Sequence, residues 1–112
     1  MVMEERRRGK RVRVVSQLEV ETPAAPLPIN AFTTNLSRTG AGFCTGKRVE
    51  IGSEVKIRIF FDHSPKDQIS EIVTGRICWV KQVSRIYEAG VEFATLNRAQ
   101  HSNLLKTVGE LS

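Results

Sequence analysis

Long apolar runs are absent from the sequence, and none approaches the length of a membrane-spanning helix. At the amino terminus, Met1-Val2-Met3 leads directly into charged residues, without the apolar stretch that a signal peptide needs. We therefore expect a cytoplasmic protein without a membrane span.

Cysteine and histidine are scarce, with two of each. Cys44 and Cys78 lack the spacing of metal ligands, and we expect reduced, buried thiols rather than a disulfide. His101 has no metal-binding partner at a suitable spacing. Asp62-His63-Ser64 contains the residue types of a catalytic triad, but neighbours in a loop cannot present the required geometry. We expect no enzyme, no metal and no cofactor.

Aromatic residues make up only 6% of the chain, whereas its formal net charge of +5 invites a nucleic-acid-binding interpretation. Residues 4–13 hold six basic and two acidic groups, and the remaining chain holds eleven basic and ten acidic groups. The positive charge is thus concentrated near the amino terminus, and few aromatic rings are left to stack on bases. A small nucleic-acid-binding barrel remains an alternative interpretation, although we expect no nucleic-acid partner.

The sequence does contain the alternation of apolar and polar residues that is typical of half-buried strands. With 40% hydrophobic residues, the 112-residue chain can bury one core. Three of the four prolines fall within residues 23–28, which therefore form a loop. Between the breaks, the alternation predicts strands over residues 12–22, 29–36, 40–44, 53–61, 69–81 and 87–93, with a bend or bulge at Gly75.

Near the carboxyl terminus, the spacing of the apolar residues changes from that of a strand to that of a helix. Asn97 followed by Gln100 has the spacing of a capping box, and Leu104, Val108 and Leu111 then fall on one helical face. We predict one amphipathic helix over about residues 97–110. Antiparallel strands with short turns favour a small barrel, because closure removes exposed strand edges.

Two short motifs carry the functional signal. Arg7 and Arg11 share one side of an extended chain and lie roughly 13 Å apart at the usual rise per residue. Asn35 and Ser37 likewise share a strand face, and Gly40 permits a turn directly afterwards. Arginine forks beside short polar side chains suit a flat, anionic, purine-bearing ligand.

This pair of motifs, Arg7-Arg8-Gly9-Lys10-Arg11 and Asn35-Leu36-Ser37-Arg38-Thr39-Gly40, resembles the Arg-x-x-x-Arg and Asp/Asn-x-Ser-x-x-Gly signatures of the PilZ domain, a bacterial receptor for cyclic di-GMP. The resemblance covers nearly the whole chain. It implies a mainly β fold, with a six-stranded antiparallel Greek-key (split) barrel and a carboxy-terminal helix. We expect a flexible arginine-rich tail over residues 1–11 and the barrel domain over residues 12–112.

The resemblance also implies the roles of individual residues. Arginine at the position before the first motif goes with two stacked ligands per chain in this family. Trp79 is an additional candidate for stacking on guanine, although its alternating position is also typical of a core or partner-facing residue, and Arg76 is expected on the opposite strand face. The expected ligand-binding residues are Arg6, Arg7, Arg8, Arg11, Asn35, Ser37, Gly40 and Arg38, with Arg8 contributing mainly positive charge and Arg38, a surface residue, reaching a phosphate only in the ligand-bound state.

We hypothesise that cyclic di-GMP orders the basic tail over the barrel and so changes a surface for a downstream protein. Family outputs include motility and exopolysaccharide synthesis, and the sequence does not identify the partner. A ligand-free adaptor that keeps only the fold is a further alternative, against which the intact arginine pair argues.

Overall fold

Six antiparallel strands and one short helix form the part of the chain that the structure, a computed structural model, describes: residues 16–61 and 69–109. The predicted tail and the Asp62-His63-Ser64 loop lie outside these residues. The mainly β prediction is confirmed, with strand ends shifted by a few residues. The elements are β1 (Ser16–Glu21), β2 (Ile29–Leu36), β3 (Gly40–Thr45), β4 (Glu54–Phe61), β5 (Ile69–Val83), β6 (Ile86–Phe93) and α1 (Ser102–Thr107).

The six strands close into a barrel in the order β1-β2-β3-β6-β5-β4, and β4 pairs back onto β1. Strands β1 to β3 form one three-stranded antiparallel half, and β4 to β6 form the other. Two seams, β3 against β6 and β4 against β1, join these halves. The predicted closed barrel is confirmed, and closure protects most strand edges.

Apolar side chains at alternate positions along the strands fill the barrel interior. In β4, Val55, Ile57, Ile59 and Phe61 are buried, whereas Lys56 points outward. The same period-two pattern places Leu18, Val20, Val73 and Val91 among the buried core residues, together with Phe43 and Leu104.

The helix begins later than predicted, at Ser102 instead of about residue 97. Asn97 and Gln100 do interact, since the Gln100 backbone N–H donates to Asn97 Oδ1 at 2.8 Å and Asn97 Nδ2 donates to Gln100 Oε1 at 3.2 Å. These bonds stabilise a turn that precedes α1. The first residue after the turn, His101, flanks the helix and provides no side-chain cap.

A buried carboxylate replaces the missing cap. Glu71 of β5 is only 8% exposed and accepts hydrogen bonds from the backbone N–H groups of Asn103 at 2.7 Å and Leu104 at 2.9 Å. His101 Nδ1 accepts from the Asn97 N–H at 3.1 Å, so Nε2 carries the proton and donates to the Ile72 carbonyl at 2.9 Å. The hydrogen bonds of Glu71 and His101 thus hold α1 and its preceding turn against β5.

The irregularity in β5 lies at Cys78, and the prediction of a bulge at Gly75 is wrong. Pairing with β4 and β6 is continuous through Gly75, whereas the register with β6 shifts between Ile77 and Trp79. The extra residue turns Trp79 to the barrel exterior, on the same side as Arg76. The expectation that these two side chains occupy opposite faces is therefore also wrong.

Both cysteines are free thiols, but neither is fully buried. Cys44 is half-buried and Cys78, at the bulge, is exposed. The prediction of two buried thiols is wrong because Cys44 lies on the outward face of β3 and the bulge leaves Cys78 outside the core.

Candidate functional site: a glycine row on the barrel exterior

Two paired glycines, Gly42 and Gly90, lie side by side on the outer face of the barrel. Asn35 of β2 pairs with Gly42 of β3, Gly42 pairs with Gly90 of β6, and Gly90 pairs with Trp79 of β5. Directly paired residues in antiparallel strands point to the same face. We call these four residues, in their order around the barrel, the glycine row. Both glycines are buried, because the Asn35 amide lies over Gly42 and the Trp79 indole lies over Gly90.

Asn35 reaches the glycine row because β2 is irregular just before it, with a register shift between Thr33 and Asn35. The buried Thr33 hydroxyl lies 2.9 Å from the Asn35 carbonyl oxygen and 2.8 Å from the Gly42 carbonyl oxygen, and it satisfies the backbone there. The Asn35 side chain then lies across Gly42. A Cβ atom at Gly42 would approach Asn35 Nδ2 to 2.6 Å, so only glycine leaves room for this amide.

Trp79 covers the other glycine. A Cβ atom at Gly90 would overlap Nε1 of the indole and lie 2.6 Å from its Cδ1 and Cε2 atoms. The ring is thus held directly on the backbone of β6, while 45% of the residue remains exposed. An immobilised, half-exposed indole is well suited to stack on a planar base.

Ser37 organises the turn that follows Asn35. Its hydroxyl oxygen accepts hydrogen bonds from the backbone N–H groups of Thr39 and Gly40, both at 3.2 Å, and the residue is only 1% exposed. The Ser37 N–H also donates to the Gly40 carbonyl at 2.9 Å. In this arrangement the hydroxyl shapes the turn, and direct contact with a ligand would require it to exchange one of these bonds.

Gly40 is needed for strand packing. A Cβ atom there would overlap the Val91 carbonyl oxygen of β6, and neither Gly40 nor Gly42 has a positive φ angle. Close approach of β3 to β6 therefore explains Gly40, the Asn35 side chain explains Gly42, and the predicted sharp turn is not what requires either glycine. Arg38 lies exposed in the turn between Ser37 and Gly40.

Arg6, Arg7, Arg8 and Arg11 lie outside the described residues, but their attachment point is described. Ser16 pairs with Thr33, two residues before Asn35. Contact between these arginines and the glycine row is part of the proposal below.

Charges border the glycine row on both sides. Arg76 lies between Glu54 and Glu92 in the strand register, and its Nη2 atom is 3.5 Å from Glu54 Oε2. On the other side Cys44 is paired with Glu88. Burial, and secondly the negative charge of Glu88, raise the pKa of the Cys44 thiol above its usual value.

A separate cleft of about 930 Å³ lies where the proline-rich β1–β2 loop approaches the last residues of β6. None of the four residues of the glycine row lines it, although Arg76 and Glu92 do. Among the described residues, no group of three or more His, Cys, Asp or Glu side chains could hold a metal ion. Over the same residues, no helix is both long and apolar enough to cross a membrane.

The motifs identify Asn35 but do not show that Asn35 and Trp79 lie over two paired glycines, Gly42 and Gly90. Both are glycines inside predicted strands, which is itself a signal for close approach by another group. That signal becomes specific only when strand pairing shows the two glycines side by side.

Several solved structures share this fold, and three of them are compared here. The inhibitor of motility MotI/DgrA of Bacillus subtilis superposes with a TM-score of 0.72 at 14% sequence identity. The match covers 90% of this chain and 48% of that one, so this chain spans about half the length of MotI/DgrA. The PilZ domain of CeSA from a cellulose-synthesising bacterium gives a TM-score of 0.60 at 18% identity, covering 88% of this chain and 93% of that one. The PilZ domain of Escherichia coli YcgR, solved with c-di-GMP, gives a TM-score of 0.69 at 10% identity, covering 95% of this chain and 91% of that one.

Sequence comparison gives the family directly. No curated protein sequence matches the chain. The model of the PilZ domain, however, matches residues 5–109, which include both motifs and every described strand. The chain belongs to the PilZ domain family.

Proposed function

We propose that the protein is a cyclic di-GMP receptor that binds the dinucleotide on the glycine row, with the amino-terminal arginines closing over it. The observation that carries the proposal is the row itself, which places the Asn35 amide and the half-exposed Trp79 indole on one outer face of the barrel. The PilZ domain of YcgR, which shares the fold, was solved with c-di-GMP.

Each end of the row matches a part of the ligand. The Trp79 indole offers a surface for one guanine to stack on. The amide of Asn35 can both donate to and accept from a guanine edge. Arg7 and Arg11 supply bidentate donors for a phosphate or for the O6 and N7 atoms of guanine, while Arg8 and Arg38 add positive charge.

Ser37 and Gly40 take a supporting part in this proposal. The Ser37 hydroxyl holds the turn, and Gly40 lets β3 approach β6 closely enough for the row to form. Arg6, directly before the first motif, favours two stacked ligands per chain. No catalytic step is proposed, and the ligand, an intracellular messenger, places the receptor in the cytoplasm.

Ligand binding would act through the tail. Residues 4–13 carry six basic groups that repel one another, and two ligand phosphates would reduce this repulsion. The ordered tail would then present a changed surface to a downstream protein. Micromolar affinity, about 8 kcal/mol overall, is reasonable after the cost of ordering the tail.

Calorimetric titration with cyclic di-GMP tests the proposal. We expect micromolar binding by the wild type, at least tenfold weaker binding by Arg11→Ala, and a fitted ratio that distinguishes one ligand from two. Arg48→Ala is the matched control, because it removes an arginine from the loop after β3, where Arg48 pairs with Glu50 at 3.6 Å.

Two outcomes would contradict the receptor assignment. One is the absence of any binding by the wild type, and the other is equal weakening in Arg11→Ala and Arg48→Ala. Excess single-stranded RNA in a parallel titration should leave dinucleotide binding unchanged, whereas full displacement would favour a nucleic-acid-binding barrel.

A further inference from the structure

Strand β5 extends beyond the strand that pairs with one of its edges. It has 15 residues, but its register with β4 ends at the pair Glu54–Arg76. One further step is bonded, since the Ile77 N–H donates to the Ser53 carbonyl at 2.9 Å and the Gly52 N–H donates to the Ile77 carbonyl at 2.7 Å. Beyond the bulge at Cys78, residues 79–83 of β5 pair with β6 alone among the described strands. Among the described residues, this stretch of β5 therefore has one edge without a paired strand.

The direction of the free backbone groups follows from the hairpin. Val83 and Ile86 are paired across the two-residue turn Ser84–Arg85, so they form a hydrogen-bonded pair, as do alternate pairs along the ladder. The residues between those pairs, Val80 and Gln82, direct their N–H and C=O groups away from β6. No described residue makes a backbone hydrogen bond to them on that side. The edge thus offers two donors and two acceptors to an added strand.

The outward side chains of this edge alternate in character. Trp79 is 45% exposed and Val83 is 44% exposed, and Lys81 lies between them. Lys81 faces Glu88 in the register, yet it makes no ion pair with any described residue. Arg85 adds a second positive charge at the turn. The outward side chains along this edge are therefore apolar at Trp79, basic at Lys81 and apolar at Val83.

The charges determine which occupant fits. A lysine on a free edge is a common protection against pairing between identical strands, because two copies would bring like charges together. Lys81 and Arg85 thus disfavour a second copy of this chain. The same charges attract an acidic strand, whose carboxylate would face Lys81 as a cross-strand pair.

We infer that the Cys78–Val83 edge of β5 binds an extended acidic segment of a partner protein as an added strand. The segment has the pattern apolar-x-acidic-x-apolar, with its apolar residues beside Trp79 and Val83 and its carboxylate beside Lys81. Because Trp79 also bounds the glycine row, a ligand on the row and a strand on the edge would affect each other. The strand-binding inference itself does not require nucleotide binding.

The test uses the full chain, labelled with ¹⁵N, and the synthetic peptide Thr-Ile-Thr-Glu-Thr-Ile-Thr. We expect saturable binding with a dissociation constant of about 1 mM or tighter, and slower amide exchange at Val80 and Gln82. The same peptide with lysine in place of glutamate should bind at least fivefold more weakly. Lys81→Glu should reverse this preference, whereas Lys56→Glu, the same charge change on the outer face of β4, should leave it unchanged.

Three results of the peptide experiments would overturn the inference. They are the absence of binding at millimolar peptide, protection confined to residues outside 78–83, and an unchanged charge preference in Lys81→Glu. Protection of Val80 and Gln82 that grows with protein concentration in the absence of peptide would also overturn it, because the edge would then be occupied by a second copy of the chain.

Discussion

At the scale of single residues, the absence of a side chain at Gly90 holds the indole of Trp79 in place. Gly90→Ala would put a methyl group where the ring lies. We expect the ring to leave the barrel surface and the protein to lose about 1–3 kcal/mol of unfolding free energy, as in other overpacked sites. Trp79 is the single tryptophan, so its fluorescence emission reports the change directly.

Gly46→Ala provides the comparison for that variant, since a Cβ atom there meets nothing within 4 Å. Its emission should match the wild type. If Gly90→Ala also kept the wild-type emission and stability, the close packing of Trp79 on β6 would be wrong. Loss of cyclic di-GMP affinity in Gly90→Ala alone would in addition support stacking on Trp79.

The two thiols should differ in reactivity. Cys78 is exposed, whereas burial and the charge of Glu88 raise the pKa of Cys44, which lowers its thiolate fraction at neutral pH. We expect iodoacetamide to modify Cys78 first, as measured by mass spectrometry of the digested protein. In the Cys78→Ser background, Glu88→Gln should speed modification of Cys44, and faster modification of Cys44 than Cys78 in the wild type would contradict this assignment.

The raised pKa of Cys44 also makes stability depend on pH. Because the pKa of Cys44 is higher in the folded state than its ordinary value of 9.0, folding favours the protonated thiol. The stabilisation is fully present below that value and is lost as the pH rises through the raised pKa. Cys44→Ser should remove this part of the alkaline loss in urea unfolding experiments.

At the scale of elements, α1 depends on a residue far away in sequence. Glu71→Ala removes the acceptor for two backbone N–H groups at the start of the helix and leaves them without a partner. We expect a loss of about 2 kcal/mol in the free energy of unfolding by urea. Glu71→Gln should lose less, because an amide oxygen can still accept.

Glu50→Ala is the control for the variants of Glu71, since Glu50 is exposed and pairs only at the surface with Arg48. It should change the stability by less than about 0.5 kcal/mol. Equal effects at Glu50 and Glu71 would mean that the helix does not rely on this carboxylate.

The strands and the helix differ in how well the sequence predicts them. Strict alternation in β4 and the prolines before β2 predicted those strands nearly to the residue, because burial and proline geometry act locally. The start of α1 was placed too early, since the capping pair at Asn97 stabilises a turn and the acceptor at Glu71 is distant. The Cys78 bulge left no local signal, and it alone decides that Trp79 faces outward.

At the scale of the whole molecule, the two halves of the barrel contribute equally to the glycine row. Asn35 and Gly42 belong to the half formed by β1 to β3, and Gly90 and Trp79 belong to the half formed by β4 to β6. Sequence motifs identified only the first half, because the Asn-x-Ser-x-x-Gly pattern lies within one hairpin. The second half is defined by a pairing between β3 and β6, which no local pattern specifies.

This division has a kinetic consequence for folding. Each half is a run of sequential hairpins that can form from local contacts, whereas the seam between β3 and β6 needs segments from distant parts of the chain and should form late. A ligand that spans Gly42 and Gly90 would recognise only molecules in which this seam has closed. It would therefore slow unfolding more than it speeds folding, and a partly folded chain would not bind it.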